Sequence, residues 1–170
     1  MSVDVRRARR ADAAELIAAN RENVAYHAPW LTAFTDQAGF DAWFARAVTG
    51  PHVSLIARER SGGALVGVIN LSEIVMGVFR SAYLGYFGFA ATGGRGLMTH
   101  ALREAVRYAF DELGLHRVEA NIQPGNVRSI ALARRAGFTK DGFSPGYLFI
   151  DGAWRDHERW ALIAEAPAPG

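Results

Sequence analysis

The sequence contains no cysteine. That single absence excludes disulfide frameworks, thiolate metal sites and cysteine nucleophiles. Long apolar runs are missing too: stretches such as Ala64–Ile69 and Ala161–Ala164 fall far short of the ~20 residues that span a bilayer. Asp4 and four arginines crowd the N-terminus with no apolar segment behind them, so no signal peptide is visible and a cytoplasmic enzyme is the expectation. Lysine occurs once, as Lys140, and the formal net charge is only +2. Nothing in that balance calls for a nucleic-acid partner. The cluster Arg6, Arg7, Arg9 and Arg10 could touch RNA or the ribosome, but a solvated strand edge leading into a helix is the expected role. His100, His116 and His157 lack an H-x-x-x-H or carboxylate spacing, and no metal site is expected.

What is present is ordinary globular composition, with 50% hydrophobic and 21% charged residues in a chain of 170. This is enough for one domain and too little for two comfortable ones. Val3–Ala8 reads as a first strand. Asp12 and Glu15 have capping-box spacing and open a helix carrying Leu16, Ile17, Val24 and Tyr26, which Pro29 ends. A second helix starts near Asp36, carries Phe40, Trp43, Phe44 and Val48, and stops at Gly50-Pro51. Val53–Arg58 and Ala64–Leu71 are strands joined through Ser61-Gly62-Gly63, and Ser81–Phe89 is a further strand.

Leu97, Ala101, Leu102, Ala105, Tyr108, Ala109 and Leu113 then recur at helical spacing, with Gly114 placed to cap the end. Arg117–Ile122 is a strand, Val127–Ala136 a short helix, and Phe143–Ile150 with Ala153–Leu162 a last hairpin about Asp151-Gly152. The predicted order is β-α-α-β-β-β-α-β-α-β-β. One mixed α/β domain over residues 1–170 is expected, as a monomer or homodimer.

Chemistry concentrates in Gly93-Gly94-Arg95-Gly96-Leu97-Met98-Thr99, between a strand and the long helix. Glycines let the backbone turn tightly and approach a ligand, and the first amides of a helix lack internal partners. Such a start suits a phosphate or pyrophosphate. A glycine-rich turn with no ligand fits the loop alone equally well. The loop lacks the G-K-[ST] ending of a Walker loop, and Thr99 stands where the dinucleotide fingerprint has its third glycine. One strand and one helix start later comes Asn126-Val-Arg-Ser129-Ile-Ala-Leu132, followed by Ala136-Gly137-Phe138.

Together these two segments resemble motifs A and B of the GNAT acyl-CoA N-acetyltransferases. Ala82-Tyr-Leu-Gly-Tyr86, the Met-Thr ending of the loop, His116-Arg117 and the run from Tyr147 to His157 are similar to the Rim group, the ribosomal-protein alanine N-acetyltransferases, and most to its RimJ type. The likeness runs from about Gly67 to Trp160. It implies a GNAT-like fold and acetyl-CoA as the donor. Phe87, Gly88 and Phe89 would lie on the strand whose main chain pairs with the pantetheine arm. Gly94, Arg95, Gly96, Leu97, Met98 and Thr99 would hold the diphosphate, and Asn126 and Ser129 would face the thioester end. Asn126 could equally be a helix N-cap, and Ser129 could satisfy local backbone.

The chain departs from the family's pattern at several positions. Gly93 stands where a Gln or Arg is frequent. Ala133 aligns with the tyrosine that serves as general acid, Tyr83 with a glutamate before Leu-Gly-Tyr, Asn121 with a glutamate used as base, and Gly146 with a carboxylate. No inherited acid–base pair is intact. An α-amine, with a reference pKa near 7.7–8.0 against ~10.4 for lysine, is already partly free at neutral pH and needs less help. Positioning against the thioester can then supply much of the rate. The missing carboxylates therefore favour an N-terminal amine over lysine.

The polar candidates for catalysis are Ser129, Asn121, Glu119 and Tyr83, with Glu119 and Asn121 on one face of their strand by period two. Tyr26, Trp30, Glu73 and Tyr147 are the candidates for the acceptor side. The expected acceptor is a protein or peptide N-terminus, with a ribosomal protein as the family's precedent. A small amine, amino acid or antibiotic is the alternative within enzymes; a non-catalytic acyl-CoA-binding module is the alternative outside them.

Overall fold

The computed structural model describes residues 2–165. Seven strands form one mixed sheet in the order β1-β2-β3-β4-β5-β7-β6. They are β1 (Val3–Arg7), β2 (Val53–Glu59), β3 (Leu65–Val75), β4 (Ser81–Gly88), β5 (Arg117–Ile122), β6 (Thr139–Ile150) and β7 (Ala153–Ile163). All pairs are antiparallel except β4 with β5. The helices are α1 (Ala13–Glu22), α2 (Val24–His27), α3 (Gln37–Thr49), α4 (Leu97–Asp111) and α5 (Val127–Ala136). No helix among the described residues is long and apolar enough to cross a membrane.

The two faces of the sheet bury different helices. Leu55, Ile69, Ala82, Leu84, Val118, Ala120 and Trp160 pack with Leu97, Ala101, Leu102 and Ala105 of α4 in the larger core. Ile56 and Val68 turn the other way and pack with Leu16, Ile17, Phe40 and Trp43 of α1 and α3. Period-two alternation along each strand produces this division. Over β5 and β7 the second face carries Glu119, Asn121, His157 and Arg159 instead of an apolar layer, since Val118, Ala120 and Trp160 belong to the first.

The sequence-based order needs correction at the first helix. It breaks at Asn23, whose amide bonds carbonyls of Ala19 and Asn20, and resumes as the separate α2. The Asn23 side chain explains the break: Nδ2 donates to Ala19 O at 2.8 Å and Oδ1 accepts from Ala90 N at 2.8 Å. An asparagine that ties its helix to the loop after β4 cannot also sit in a regular turn. The Asp12–Glu15 capping box does not form. Asp12 instead accepts from Arg9 N at 2.7 Å and from both terminal nitrogens of Arg6, while Glu15 pairs with Arg58. At α3 the expected cap is present, with Asp36 Oδ1 accepting from Gly39 N at 2.7 Å. Strand β6 begins at Thr139, four residues ahead of the expected Phe143.

The arginine cluster is largely internally matched. Arg6 meets Asp12, Arg7 donates to Tyr108 Oη at 2.7 Å, and Arg10 lies 3.8 Å from Asp41 and over the Phe44 ring. The cluster thus meets carboxylates through Arg6 and Arg10 and a phenol through Arg7.

Candidate active site

The decisive feature is a partial strand pairing. β3 and β4 pair from Val75/Ser81 through Gly67/Gly88, with one irregularity. The parallel partner β5 meets β4 only at Ser81↔Arg117, Ala82↔Val118 and Tyr83↔Glu119. Beyond Tyr83 the two strands part. A cavity of about 700 Å³ occupies the opening, lined by residues 84–89 of one strand and by Ala120, Asn121 and Ile122 of the other. A parting of adjacent strands leaves main-chain donors and acceptors unpaired, and an extended ligand can use them as a further strand would.

One end of this cavity reaches Gly93, Gly94, Gly96, Met98 and Thr99. Gly94 and Gly96 have φ of 74° and 75°, values that favour glycine, and a Cβ built at either meets nothing within 4 Å. The space above the loop is therefore open. Among the described residues the amides of Gly94 through Met98 donate to no carbonyl, and Thr99 N turns back to Gly96 O at 3.1 Å. Free amides, open space and the start of a fifteen-residue helix fit a diphosphate.

Two of the predicted loop residues do other work. Arg95 is held away by an ion pair with Glu59 at 2.5 Å, and Leu97 is fully buried in the core beneath the loop. Their side chains are not part of the cavity wall, so only their main chain can serve a diphosphate. The cations that do line the cavity come from α5, as Arg128 and Arg135. Arg128 donates to Tyr26 Oη at 3.1 Å and lies 4.9 Å above its ring centroid. That hydroxyl also sits 3.1 Å from where a Cβ of Gly93 would project. Tyr26 thus fills the space that a larger residue at position 93 would need.

On the α5 side the two predicted residues both line the cavity. Asn126 caps the helix, with Oδ1 accepting from Ser129 N at 3.2 Å, and it lines the cavity as well. Ser129 Oγ donates to Tyr86 Oη at 2.9 Å, and Tyr86 Oη donates to the Ser129 carbonyl at 3.1 Å. Burial pushes the Tyr86 phenol up to about 12, against the weaker lowering effect of Ser129. Phe87, Gly88 and Phe89 line the wall, and His27 Nε2 donates to Gly88 O at 2.9 Å.

The other candidates separate. Asn121 lines the cavity, and its Oδ1 is buried with no hydrogen-bond partner. Glu119 does not line it. Its Oε2 pairs with Arg117 at 2.8 Å, and that arginine also bridges to Asp141. Tyr83 and Glu73 lie in a separate recess of about 230 Å³ with Val75 and Phe79. Tyr83 Oη is 3.2 Å from Tyr147 Oη, and that contact, more than burial, raises the Tyr147 phenol to about 12. Trp30 reaches the cavity and covers Gly125, where an added Cβ would lie 3.0 Å from its ring.

Sequence reasoning read His27 with Tyr26 and Trp30 as an acceptor-side residue, but gave no site role to Tyr86, Arg128 or Arg135 of this wall. Tyr86 was legible from alternation, since Leu84 and Tyr86 share a face. His157 was weighed as a metal ligand and as the end of the Rim-like run, not as a catalytic residue.

Residues 3–139 match the profile of the acetyltransferase (GNAT) domain. The alanine N-acetyltransferase of ribosomal protein uS5 from Escherichia coli is 44% identical over 106 residues, which is 62% of this chain and 55% of that protein. The chain spans little more than half the length of the curated relatives it matches first. Among solved structures, Mycobacterium smegmatis RimJ in complex with CoA-disulfide superposes with a TM-score of 0.84 at 29% identity, covering 95% of this chain and 82% of that one. A spermidine N-acetyltransferase from Vibrio cholerae, solved with CoA and spermine, shares the fold at a TM-score of 0.79 and 18% identity, over 95% of each chain. With a domain match over most of its length, this chain belongs to the GNAT acetyltransferase family.

Proposed function

We propose that this protein transfers the acetyl group of acetyl-CoA to a primary amine, and that the amine is the N-terminus of a protein or peptide, with a ribosomal protein as the leading acceptor. The observation that carries the reading is the parting of β4 and β5 directly above the glycine loop. A diphosphate on the amides of Gly94–Thr99 would leave the pantetheine arm lying along Leu84–Phe89, with its thioester near Ser129 and Asn126. The amine attacks the thioester carbonyl carbon, the C–S bond breaks, and coenzyme A leaves as a thiolate that gains a proton.

An α-amine suits this site better than lysine. Glu119 lies outside the cavity and pairs with Arg117, and among the described residues no carboxylate lines the cavity. Substrate choice then falls on an amine that is partly free at neutral pH. The ribosomal acceptor is supported by the activity of the Escherichia coli relative and by the likeness to RimJ. A cytoplasmic place of action belongs to the same reading.

The test is a mass-spectrometric screen of peptide N-termini, including ribosomal-protein sequences beginning with alanine, against polyamines, amino acids and aminoglycosides, with thiol release from acetyl-CoA followed in parallel. Acetylated peptide N-termini support the proposal. Turnover confined to small amines would transfer it to that class, and binding of coenzyme without thiol release from any acceptor would leave a non-catalytic module.

A further inference from the structure

His157 is 2% exposed, yet it lines the cavity. Its Nδ1 lies 2.9 Å from the Arg155 carbonyl. A carbonyl can only accept, so Nδ1 carries the proton and the lone pair of the neutral ring sits on Nε2. Among the described residues Nε2 has no hydrogen-bond partner, and it is not one of the sealed orphan atoms. The Tyr147 ring packs edge-on at 6.2 Å and fixes the imidazole plane.

The sheet places this nitrogen on a particular side. Ile122 pairs with Glu158 and Asn121 with Arg159, so His157 and Asn121 share the face opposite α4 and α5. The glycine loop, Ser129 and Tyr86 belong to the α4–α5 face. An acyl donor held there presents its carbonyl through the gap to the other face. Gly85 lies in that gap, and a Cβ built on it meets nothing within 4 Å, so the way through is clear. On the far side His157 Nε2 is the open unpartnered acceptor, while Asn121 Oδ1 and Glu119 Oε1 on the same face are unpartnered but sealed from solvent.

We infer that His157 is the general base of the acyl transfer. The inference rests on the acetyltransferase reading above and deepens it. As the N–C bond forms, one proton of the amine passes to Nε2, the C–S bond breaks, and the departing thiolate is protonated from solvent.

The experiment uses the full chain with whichever amine the wild type turns over, so that wild-type turnover judges the acetyltransferase reading and the variant judges the base. His157→Gln should bind coenzyme A with calorimetric affinity within about twofold of wild type. Its kcat at pH 7 should fall on the order of 100-fold, the usual yield of a positioned base. The deficit should narrow as pH rises above the pKa of the acceptor. A kcat within about threefold of wild type at pH 7 overturns the inference, as does a loss that is independent of pH and confined to acceptor KM. If the variant fails to bind coenzyme, ¹⁵N spectra of the wild-type imidazole decide. An unprotonated Nε2 that responds to acceptor peptide supports the assignment, and an Nε2–H tautomer overturns it.

Discussion

Ser129 and Tyr86 are joined twice, once from Ser129 Oγ to the phenol oxygen at 2.9 Å and once from the phenol to the Ser129 carbonyl at 3.1 Å. The serine hydroxyl is therefore engaged with a neighbour on β4 and holds Tyr86 at the cavity wall. Replacing Ser129 with Ala removes one of these two bonds. Turnover should fall about fivefold, one net hydrogen bond being worth about 1 kcal/mol, with coenzyme affinity nearly unchanged. Steady-state kinetics beside calorimetry check this, and wild-type turnover in the variant removes the pair from the mechanism.

The same phenol predicts an alkaline limit to stability. Burial raises its folded-state pKa to about 12 from an ordinary value near 10. A raised pKa means that the stabilising contribution is complete below about pH 10 and is lost as pH climbs towards 12, where the unfolded chain ionises first. Up to about 3 kcal/mol is involved, at 1.36 kcal/mol per pKa unit. Denaturant midpoints measured from pH 9 to 11.5 should decline in the wild type and decline less in Tyr86→Phe.

At the glycine loop, Gly96→Val puts a β-branched residue at φ 75°. The space around it is open, so the cost is backbone strain of about 1–3 kcal/mol together with a side chain standing where the diphosphate would lie. Coenzyme affinity should drop at least tenfold in a variant whose circular dichroism is native. Unchanged affinity would move the diphosphate elsewhere.

Asp12 carries a different kind of prediction. Its carboxylate is nearly buried against Arg6, and that hydrogen bond holds its pKa below the usual value despite the opposing effect of burial. A lowered pKa contributes stability above the unfolded value near 3.8 and loses it as pH falls through the folded one. Asp12→Ala should destabilise by about 2 kcal/mol, because Arg6 and the Arg9 amide lose their acceptor. It should also flatten the acid limb of the stability curve below pH 4, as urea titrations would show.

Acceptor choice follows from the amine's own chemistry. Peptides with a free N-terminus should outpace the same peptides blocked there and offering lysine by roughly a few hundredfold at pH 7, the ratio set by ~2.5 pKa units. Efficient acetylation of the blocked peptide would overturn this preference.

Most of the strands, the long helices and the glycine loop were readable because their signals are local. Leu97, Ala101, Ala105 and Ala109 spell a helix face, and all are buried in the core beneath β2–β5. Asp151-Gly152 turns with φ of 49° and 76°, as its chemistry demands. The misreadings are relations between distant segments. Asn23 breaks a helix because Ala90 is beside it, and Arg95 leaves the loop because Glu59 is beside it. Nothing near Ser81 announces that its strand keeps a parallel neighbour for three residues only. Nor does the hairpin sequence reveal that Glu158 pairs with Ile122, the register that carries His157 to the face of Asn121.

That three-residue joint makes the sheet two half-sheets on a common spine. One comprises β1 to β4 and the other β5 to β7, joined directly between strands only at residues 81–83 and 117–119. A coenzyme lying between them acts as mortar as well as reagent. Its free concentration then tunes the cohesion of the enzyme, adding about 2.7 kcal/mol at a hundred times its dissociation constant. Those amides of Leu84–Phe89 that do not bond β3 would exchange with solvent quickly in the empty enzyme and slowly in the loaded one, so a cell short of acetyl donor would hold this protein in its looser form.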